Sequence, residues 1–233
     1  MDALETELDR ARDLDEAALA DAIETIGFEC TRCGACCKGY EPEDGEDGEE
    51  NPGDERDEES EGVEMDRGDG RDGKGDREPH TATVFPDEVR GLQETGDYDW
   101  RDVARPMPYG LSEGADGPEG ETFEWALQTD SCGDCAFYTE AADGTGACGV
   151  HADRPLICQT YPFSVDLGGT SQPMGEAVDE AGVVRAHECE GLGRDISRAA
   201  AEDLAAALKT RAIRELQEAI GVRDNYEPAE TEG

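Results

Sequence analysis

Four cysteines within eight residues, Cys30-Thr-Arg-Cys33-Gly-Ala-Cys36-Cys37, constrain this chain more than any other stretch. Core packing does not call for four thiols so close together. Thiolates are soft, charged ligands, and several gathered in one turn point to a metal ion or an iron–sulfur cluster. Five more cysteines follow, Cys132, Cys135, Cys148, Cys158 and Cys189, so the chain holds nine, and an odd number argues against a closed disulfide framework. The opening Met-Asp-Ala-Leu-Glu-Thr-Glu-Leu-Asp-Arg lacks the basic start and apolar stretch of a secretory signal. No run approaches the roughly 20 apolar residues that span a bilayer. The expectation is a cytoplasmic protein, not membrane-bound, with reduced and ligand-competent thiols.

The chain of 233 residues sets 60 acidic side chains against 20 basic ones, a formal net charge of −40, and its only lysines are Lys38, Lys74 and Lys209. Such self-repulsion opposes compactness in dilute buffer, whereas at molar salt the Debye length contracts to about 3 Å and the penalty fades. The acidity runs through prospective helices and loops alike. That favours solvation in a salt-rich, halophilic cytoplasm over one dedicated binding face. Nucleic acid is not expected as a direct partner, because phosphate contacts need a basic stripe and none is visible. Low hydrophobic content and abundant Gly imply a small core, where metal cross-links contribute most by tying together segments that apolar burial would leave marginal.

Periodicity predicts an α+β fold: a small metal-stapled, cysteine-rich core with short strands, bracketed by N- and C-terminal helices and interrupted by an acidic insertion. Residues 2–26 carry Leu4, Leu8, Leu14, Leu19, Ile23 and Ile26 at mostly helical spacing, with Asp15 an N-cap inside the run and Gly27 at its end. That gives one broken helix or two short ones. From residue 41 to 79 the sequence is almost wholly Asp, Glu, Gly, Arg and Pro and reads as a disordered insertion that cannot bury enough surface to offset its ordering entropy. Residues 81–85 suggest a short strand and Pro86 a helix start; 112–120 a polar loop; 122–127 a strand; 164–184 a weak hairpin. From Asp195 or Ser197, Leu204, Leu208, Leu216 and Ile220 outline a long amphipathic helix ending at Gly221. The implied organisation is one domain from 1–40 and 80–221, the insertion at 41–79, and a flexible tail over 222–233.

Cys30-x2-Cys33-x2-Cys36 has the close spacing of bacterial ferredoxin cluster runs, without their fourth Cys-Pro and with Cys37 following at once. If the segment is extended, Cys36 and Cys37 point to opposite sides and serve two neighbouring sites or bridge two metals. If it is helical, Cys30, Cys33 and Cys37 share a face and Cys36 is the outlier. Downstream come Cys135-Ala-Phe-Tyr, then Cys148-Gly-Val-His-Ala-Asp-Arg-Pro-Leu-Ile-Cys158-Gln-Thr-Tyr-Pro-Phe163, then Cys189-Glu-Gly-Leu-Gly193.

In that order of motifs, over roughly Phe28–Lys38 and Thr81–Gly193, the chain resembles the YkgJ-type CxxCxxCC family of zinc- or iron-chelating domains, as a haloarchaeal-like member. The resemblance implies that Cys30, Cys33, Cys36, Cys37, Cys135, Cys148, Cys158 and Cys189 are metal ligands, enough for two four-ligand sites, with an iron–sulfur cluster or zinc as cofactor. Three departures stand out: His151 where the family commonly has an aromatic, Gln159 where it commonly has Arg, and the long acidic insertion. Cys132 has no family counterpart and reads as a spare thiol.

His151 and His187 stand at spacings a metal could use, but spacing alone favours ordinary solvent-facing or hydrogen-bonded histidines, and His80 carries no signal. Arg32, Lys38 and Arg154 sit beside cysteines and either lower thiol pKa or pair with carboxylates. Tyr161-Pro162-Phe163 reads as packing over the cluster. Three functions remain open. One is a metal-binding module for redox or metal handling. Another is an enzyme, since similar cysteine patterns occur in flagellin lysine-N-methylases, although no Gly-rich strand-to-helix turn for a Rossmann cofactor site is present. The third is a redox sensor using Cys36–Cys37 or Cys132–Cys135 as a dithiol.

Overall fold

The computed structural model describes residues 3–40, 78–114, 117–169, 173 and 175–227. Helices α1 (Ala3–Asp13) and α2 (Glu16–Ile26) are separate because Asp15 leaves the helical conformation and caps the second, its carboxylate accepting the amides of Ala17 at 2.9 Å and Ala18 at 3.3 Å. Gly27 ends α2 with φ 74°, its amide returning to the Ile23 carbonyl at 2.9 Å. A Cβ at Gly27 would lie 2.1 Å from the Arg194 carbonyl oxygen, so only glycine serves here. Two short helices are thus the outcome of the broken periodicity.

The chain then passes through the first cysteine run into helices α3 (Pro86–Thr95) and α4 (Trp100–Val103). Glu88 fixes the start of α3 from two sides: one carboxylate oxygen accepts the Phe85 amide, the other the Leu156 amide, each at 2.9 Å. Short antiparallel pairs follow. Strand β1 (Ala104–Pro106) pairs with β4 (Trp125–Leu127), and β2 (Tyr109–Gly114) with β3 (Gly117–Glu121). Strand β5 (Tyr138–Glu140) pairs with β6 (Gly146–Cys148). Helix α5 (Leu156–Thr160) leads into a three-stranded sheet in which β9 (Val184–Ala186) lies between β7 (Phe163–Val165) and β8 (Glu176–Ala177). Helix α6 (Arg198–Asn225), capped by the Ser197 hydroxyl, closes the fold.

Two apolar cores result. The first packs Leu8, Leu19 and Ile23 of the N-terminal helices against Leu208 and Leu216 of α6 and against Phe163 and Val184 of the sheet. Ala201, Ala205 and Ala212 are buried on α6, small side chains that let α1 and α2 approach closely. The second core gathers Val84, Leu92, Val103, Leu127, Phe137 and Val150, and four of the cysteines pack into it. No described helix is long and apolar enough to cross a membrane.

Four sequence expectations change. Residues 81–85 are extended but form no regular strand: Thr83 makes a single bridge to Ala126, while Val84 donates to the Trp125 carbonyl and Leu127 to the Ala82 carbonyl. Of the polar stretch 112–120, residues 112–114 and 117–120 lie in the β2 and β3 strands, where pairing is a backbone property that needs no apolar alternation. Helix α6 runs through Gly221 to Asn225, because Gly221 does not take the left-handed φ of a C-cap. Beyond it, Arg223 holds Glu5 of α1 at 2.8 Å and Tyr226 meets Phe123 edge-on at 5.4 Å, so the tail does not begin at 222. Of the acidic insertion, only Glu78 and Pro79 lie within the described residues, and Glu78 pairs with Tyr40.

Candidate metal centre

Between Gly27 and Lys38 the chain forms no α-helix and no regular strand. Arg32 takes φ 59° and Gly34 φ 78°, and a 3₁₀ turn over Ala35–Cys37 follows. A 3₁₀ helix has three residues per turn, so neighbouring side chains diverge by about 120°. Cys36 and Cys37 therefore face different directions while their sulfurs remain 3.9 Å apart. Two backbone contacts fasten this loop to distant segments: Cys135 donates to the Cys37 carbonyl at 2.8 Å, and Gly146 donates to the Arg32 carbonyl at 2.8 Å. On the other side, Glu29 donates to the Gly191 carbonyl at 3.0 Å and Phe28 bridges Leu192, which brings Cys30 to the turn carrying Cys189.

The remaining thiols arrive by similarly local means. Cys148 is the cross-strand partner of Tyr138 in the β5–β6 pair, and Cys158 stands on α5. Cys30, Cys36, Cys37, Cys135, Cys148 and Cys158 line one cavity of about 1220 Å³. Cys33 and Cys189 are not among its lining residues. Cys189 is half-buried, its sulfur accepting the Gly191 amide at 3.4 Å. Cys132 is exposed and does not line the cavity; its amide caps Asp130 at 2.7 Å.

Electrostatics records which sulfurs neighbour which. The hydrogen bond from Cys37 brings the Cys36 thiol down from 9.0 to about 7, while Cys37 is pushed far up by the same bond, by burial, and by Cys36, Cys135 and Cys158. Burial, then Cys135, Cys36 and Cys148, push Cys158 up to about 12. Cys135 is raised by burial, with Cys148 and Cys36 adding to it. Cys189 is raised by burial and by a different set, Cys33, Cys36 and Cys30. Burial and mutual proximity raise these thiols, and Arg154 works in the opposite direction on Cys36 and Cys158. Among the described residues, no three His, Cys, Asp or Glu side chains stand together as a group able to hold a metal ion. The sulfurs surround the cavity without closing on one point.

All three histidines of the chain, His80, His151 and His187, also line the cavity. His80 carried no sequence signal. It is buried, its amide donates to the Gly133 carbonyl at 2.7 Å, and desolvation lowers its pKa from 6.5. His151 is exposed and lowered chiefly by Arg154, then by slight burial and Arg32. His187 meets Tyr161 edge-on at 6.0 Å. The flanking cations divide between their two sequence readings. Lys38 forms an ion pair with Glu140, whereas Arg32 and Arg154 have no carboxylate partner among the described residues, in a chain with 60 carboxylates to offer. Among the described residues, Glu215 is the one acidic residue lining the cavity.

Tyr161 and Phe163, read together as packing, separate. Phe163 is fully buried and meets Phe28 edge-on at 5.7 Å, making it a core residue. Tyr161 faces the thiols: burial, then Cys189, Cys36 and Cys33, push its hydroxyl well above the ordinary range, and it donates to the Glu188 carbonyl at 3.2 Å. Arg211 of α6, also missed in the sequence, lines the cavity and bonds the Thr160 hydroxyl at 3.0 Å and the Phe163 carbonyl at 3.4 Å, bracing the α5 end.

No curated protein and no solved structure matches the chain significantly. A family model, CxxCxxCC, described as a "putative zinc- or iron-chelating domain", matches residues 29–190, a span that begins just before the first cysteine of the loop and ends just after Cys189. By that match over well more than half of its length, the chain belongs to the CxxCxxCC family of cysteine-rich metal-chelating domains.

Proposed function

We propose that this protein binds metal through the thiolates of Cys30, Cys33, Cys36, Cys37, Cys135, Cys148, Cys158 and Cys189, as a redox or metal-handling module of a halophilic cytoplasm. The observation that carries the reading is that thiols from four separate stretches of chain line one cavity whose walls hold a single carboxylate. The donor set fits an iron–sulfur cluster or zinc. It is all sulfur, it is gathered by backbone contacts rather than by chance proximity, and among the described residues Arg32 and Arg154 pair with no carboxylate and stand near enough to offset thiolate charge. Zinc would supply a redox-inert cross-link between the two ends of the cysteine region, and a cluster would add one-electron chemistry. The ferredoxin-like spacing of Cys30, Cys33 and Cys36 favours iron–sulfur.

The deciding experiment is anaerobic purification at molar salt, followed by iron, zinc and acid-labile sulfide determination. Brown protein with iron and sulfide supports the cluster form, and colourless protein with stoichiometric zinc the other. Chain recovered folded, with neither metal and with all nine thiols titrating freely, would sink the reading.

The cavity supports a second reading. At about 1220 Å³ it exceeds the roughly 300–1,000 Å³ typical of small-molecule sites, more room than metal ions alone require. That volume is what favours an enzyme related to flagellin lysine-N-methylases. The described strand pairs, all antiparallel, lend no support from a doubly wound cofactor-binding sheet. Transfer of label from S-adenosylmethionine to lysines of whole-cell protein would establish it.

A further inference from the structure

We infer that the eight thiols form two metal centres of unequal access: an interior one from Cys37, Cys135, Cys148 and Cys158, and a solvent-side one from Cys30, Cys33, Cys36 and Cys189. The inference rests on the metal-binding reading above and divides its ligands.

The interior set is defined by packing. Cys135 is a buried member of the second apolar core, with Phe137 and Val150, and Cys37, Cys148 and Cys158 pack against that core partly buried. None of the other four thiols does. Backbone geometry draws the same line. Cys135 donates to the Cys37 carbonyl at 2.8 Å, the β5–β6 pair sets Cys148 opposite Tyr138, and Gly149 donates to the Phe137 carbonyl at 2.8 Å. The solvent-side set hangs on the other seam, where Glu29 and Phe28 bind Gly191 and Leu192 and so join the Cys30 segment to the Cys189 turn. Here Cys30 and Cys36 are exposed and Cys33 and Cys189 half-buried, whereas in the first set Cys135 is 6% exposed and Cys37, Cys148 and Cys158 are half-buried, none of them exposed.

The Cys36–Cys37 pair is the boundary. Both sulfurs reach the cavity and stand 3.9 Å apart, but across the 3₁₀ turn only Cys37 packs against the apolar core while Cys36 is exposed, so adjacent cysteines can serve two neighbouring centres. Four sulfurs complete a tetrahedral shell, so eight divide without remainder and without help from His151 or His187. Chelators remove an ion by attacking it directly. An ion walled by Phe137 and Val150 is shielded from that attack, and one held by exposed Cys30 and Cys36 is open to it. The interior centre is therefore the permanent staple, and the solvent-side centre the one able to exchange metal or electrons.

The test loads the reduced full chain with zinc at molar salt and follows release to a chromogenic chelator. Two zinc ions per chain are expected, leaving in two phases of equal amplitude. The Cys30→Ser/Cys189→Ser variant should lose the fast phase, roughly half of the released zinc, and keep the slow one. Because Cys135→Ser/Cys148→Ser removes core side chains and risks misfolding, the wild-type chain supplies the complementary reading. When the fast zinc has gone, alkylation and peptide mapping should find Cys30, Cys33, Cys36 and Cys189 modified and Cys37, Cys135, Cys148 and Cys158 protected. One ion per chain, a single release phase, or labelling of Cys36 and Cys37 together would overturn the division while leaving metal binding intact. Failure to retain any zinc or iron would instead overturn the metal-binding reading itself.

Discussion

Gly34 and Tyr138 share a space that a methyl group would overfill. A Cβ on Gly34 would lie 2.1 Å from the Tyr138 hydroxyl oxygen, and φ 78° disfavours any side chain there. Gly34→Ala is expected to cost about 2 kcal/mol, combining clash and backbone strain, measured by urea unfolding at molar salt. Removing the ring as well, in Gly34→Ala/Tyr138→Ala, relieves the clash but not the φ, so the double variant should regain only part of what the first change lost. His80 gives a prediction in pH. Burial lowers its folded pKa below the 6.5 of the free side chain, so the neutral form is the one the fold accepts. Its contribution is complete above pH 6.5 and is lost as the pH falls through that value toward the folded pKa. Stability of metal-free protein should drop more between pH 7.5 and 5.5 for the wild type than for His80→Gln; equal slopes would assign the loss to other groups.

Helix ends divide into those that the sequence marks and those that contacts decide. Asp15 is a marked end: it caps α2 through two amides, and Asp15→Ala should destabilise by about 1 kcal/mol. Gly221 looks like a marked end and is not one. It sits inside α6 with open space where a Cβ would go, so Gly221→Ala should stabilise by about 1 kcal/mol, the ordinary helix-interior difference. Opposite signs in one denaturation series would check both. The same contrast explains the strands. The Trp125–Leu127 strand follows an alternating stretch and was legible, whereas the Tyr109–Gly114 and Gly117–Glu121 hairpin was hidden in a polar sequence, because its ladder is made by backbone groups that composition does not report.

At the scale of the molecule, charge sets the conditions under which everything else operates. With a net charge of −40, exposed ion pairs such as Arg198 with Asp21, Glu24 and Glu202 are far too few to offset repulsion, and each contributes little in any case. The melting temperature should therefore rise steeply from dilute buffer to molar KCl, and small-angle scattering should show expansion at low salt; a compact, salt-indifferent protein would contradict this. The two cores also differ in what supports them. The helical core contains no cysteine, while four thiols pack into the other, so metal removal is expected to loosen the cysteine core first and leave the α1–α2–α6 packing standing. Amide exchange before and after chelation would separate the two.

What the sequence determined by itself is the chemistry on offer and the local grammar: the spacing of the cysteines, the capping at Asp15, the stop at Gly27 and the long apolar stripe of α6 are all properties of neighbours along the chain. The family-matching thiols could be named from motif order, and the bracketing helices from a 3.6-residue period. Which sulfurs stand together was decided only in three dimensions. The neighbours of Cys37 are Cys36, Cys135 and Cys158, and those of Cys189 are Cys33, Cys36 and Cys30, groupings set by a 3₁₀ turn and by backbone hydrogen bonds spanning much of the chain. His80 and Arg211 entered the cavity wall for the same reason. Burial and proximity are sums over distant segments, and no window of sequence contains them.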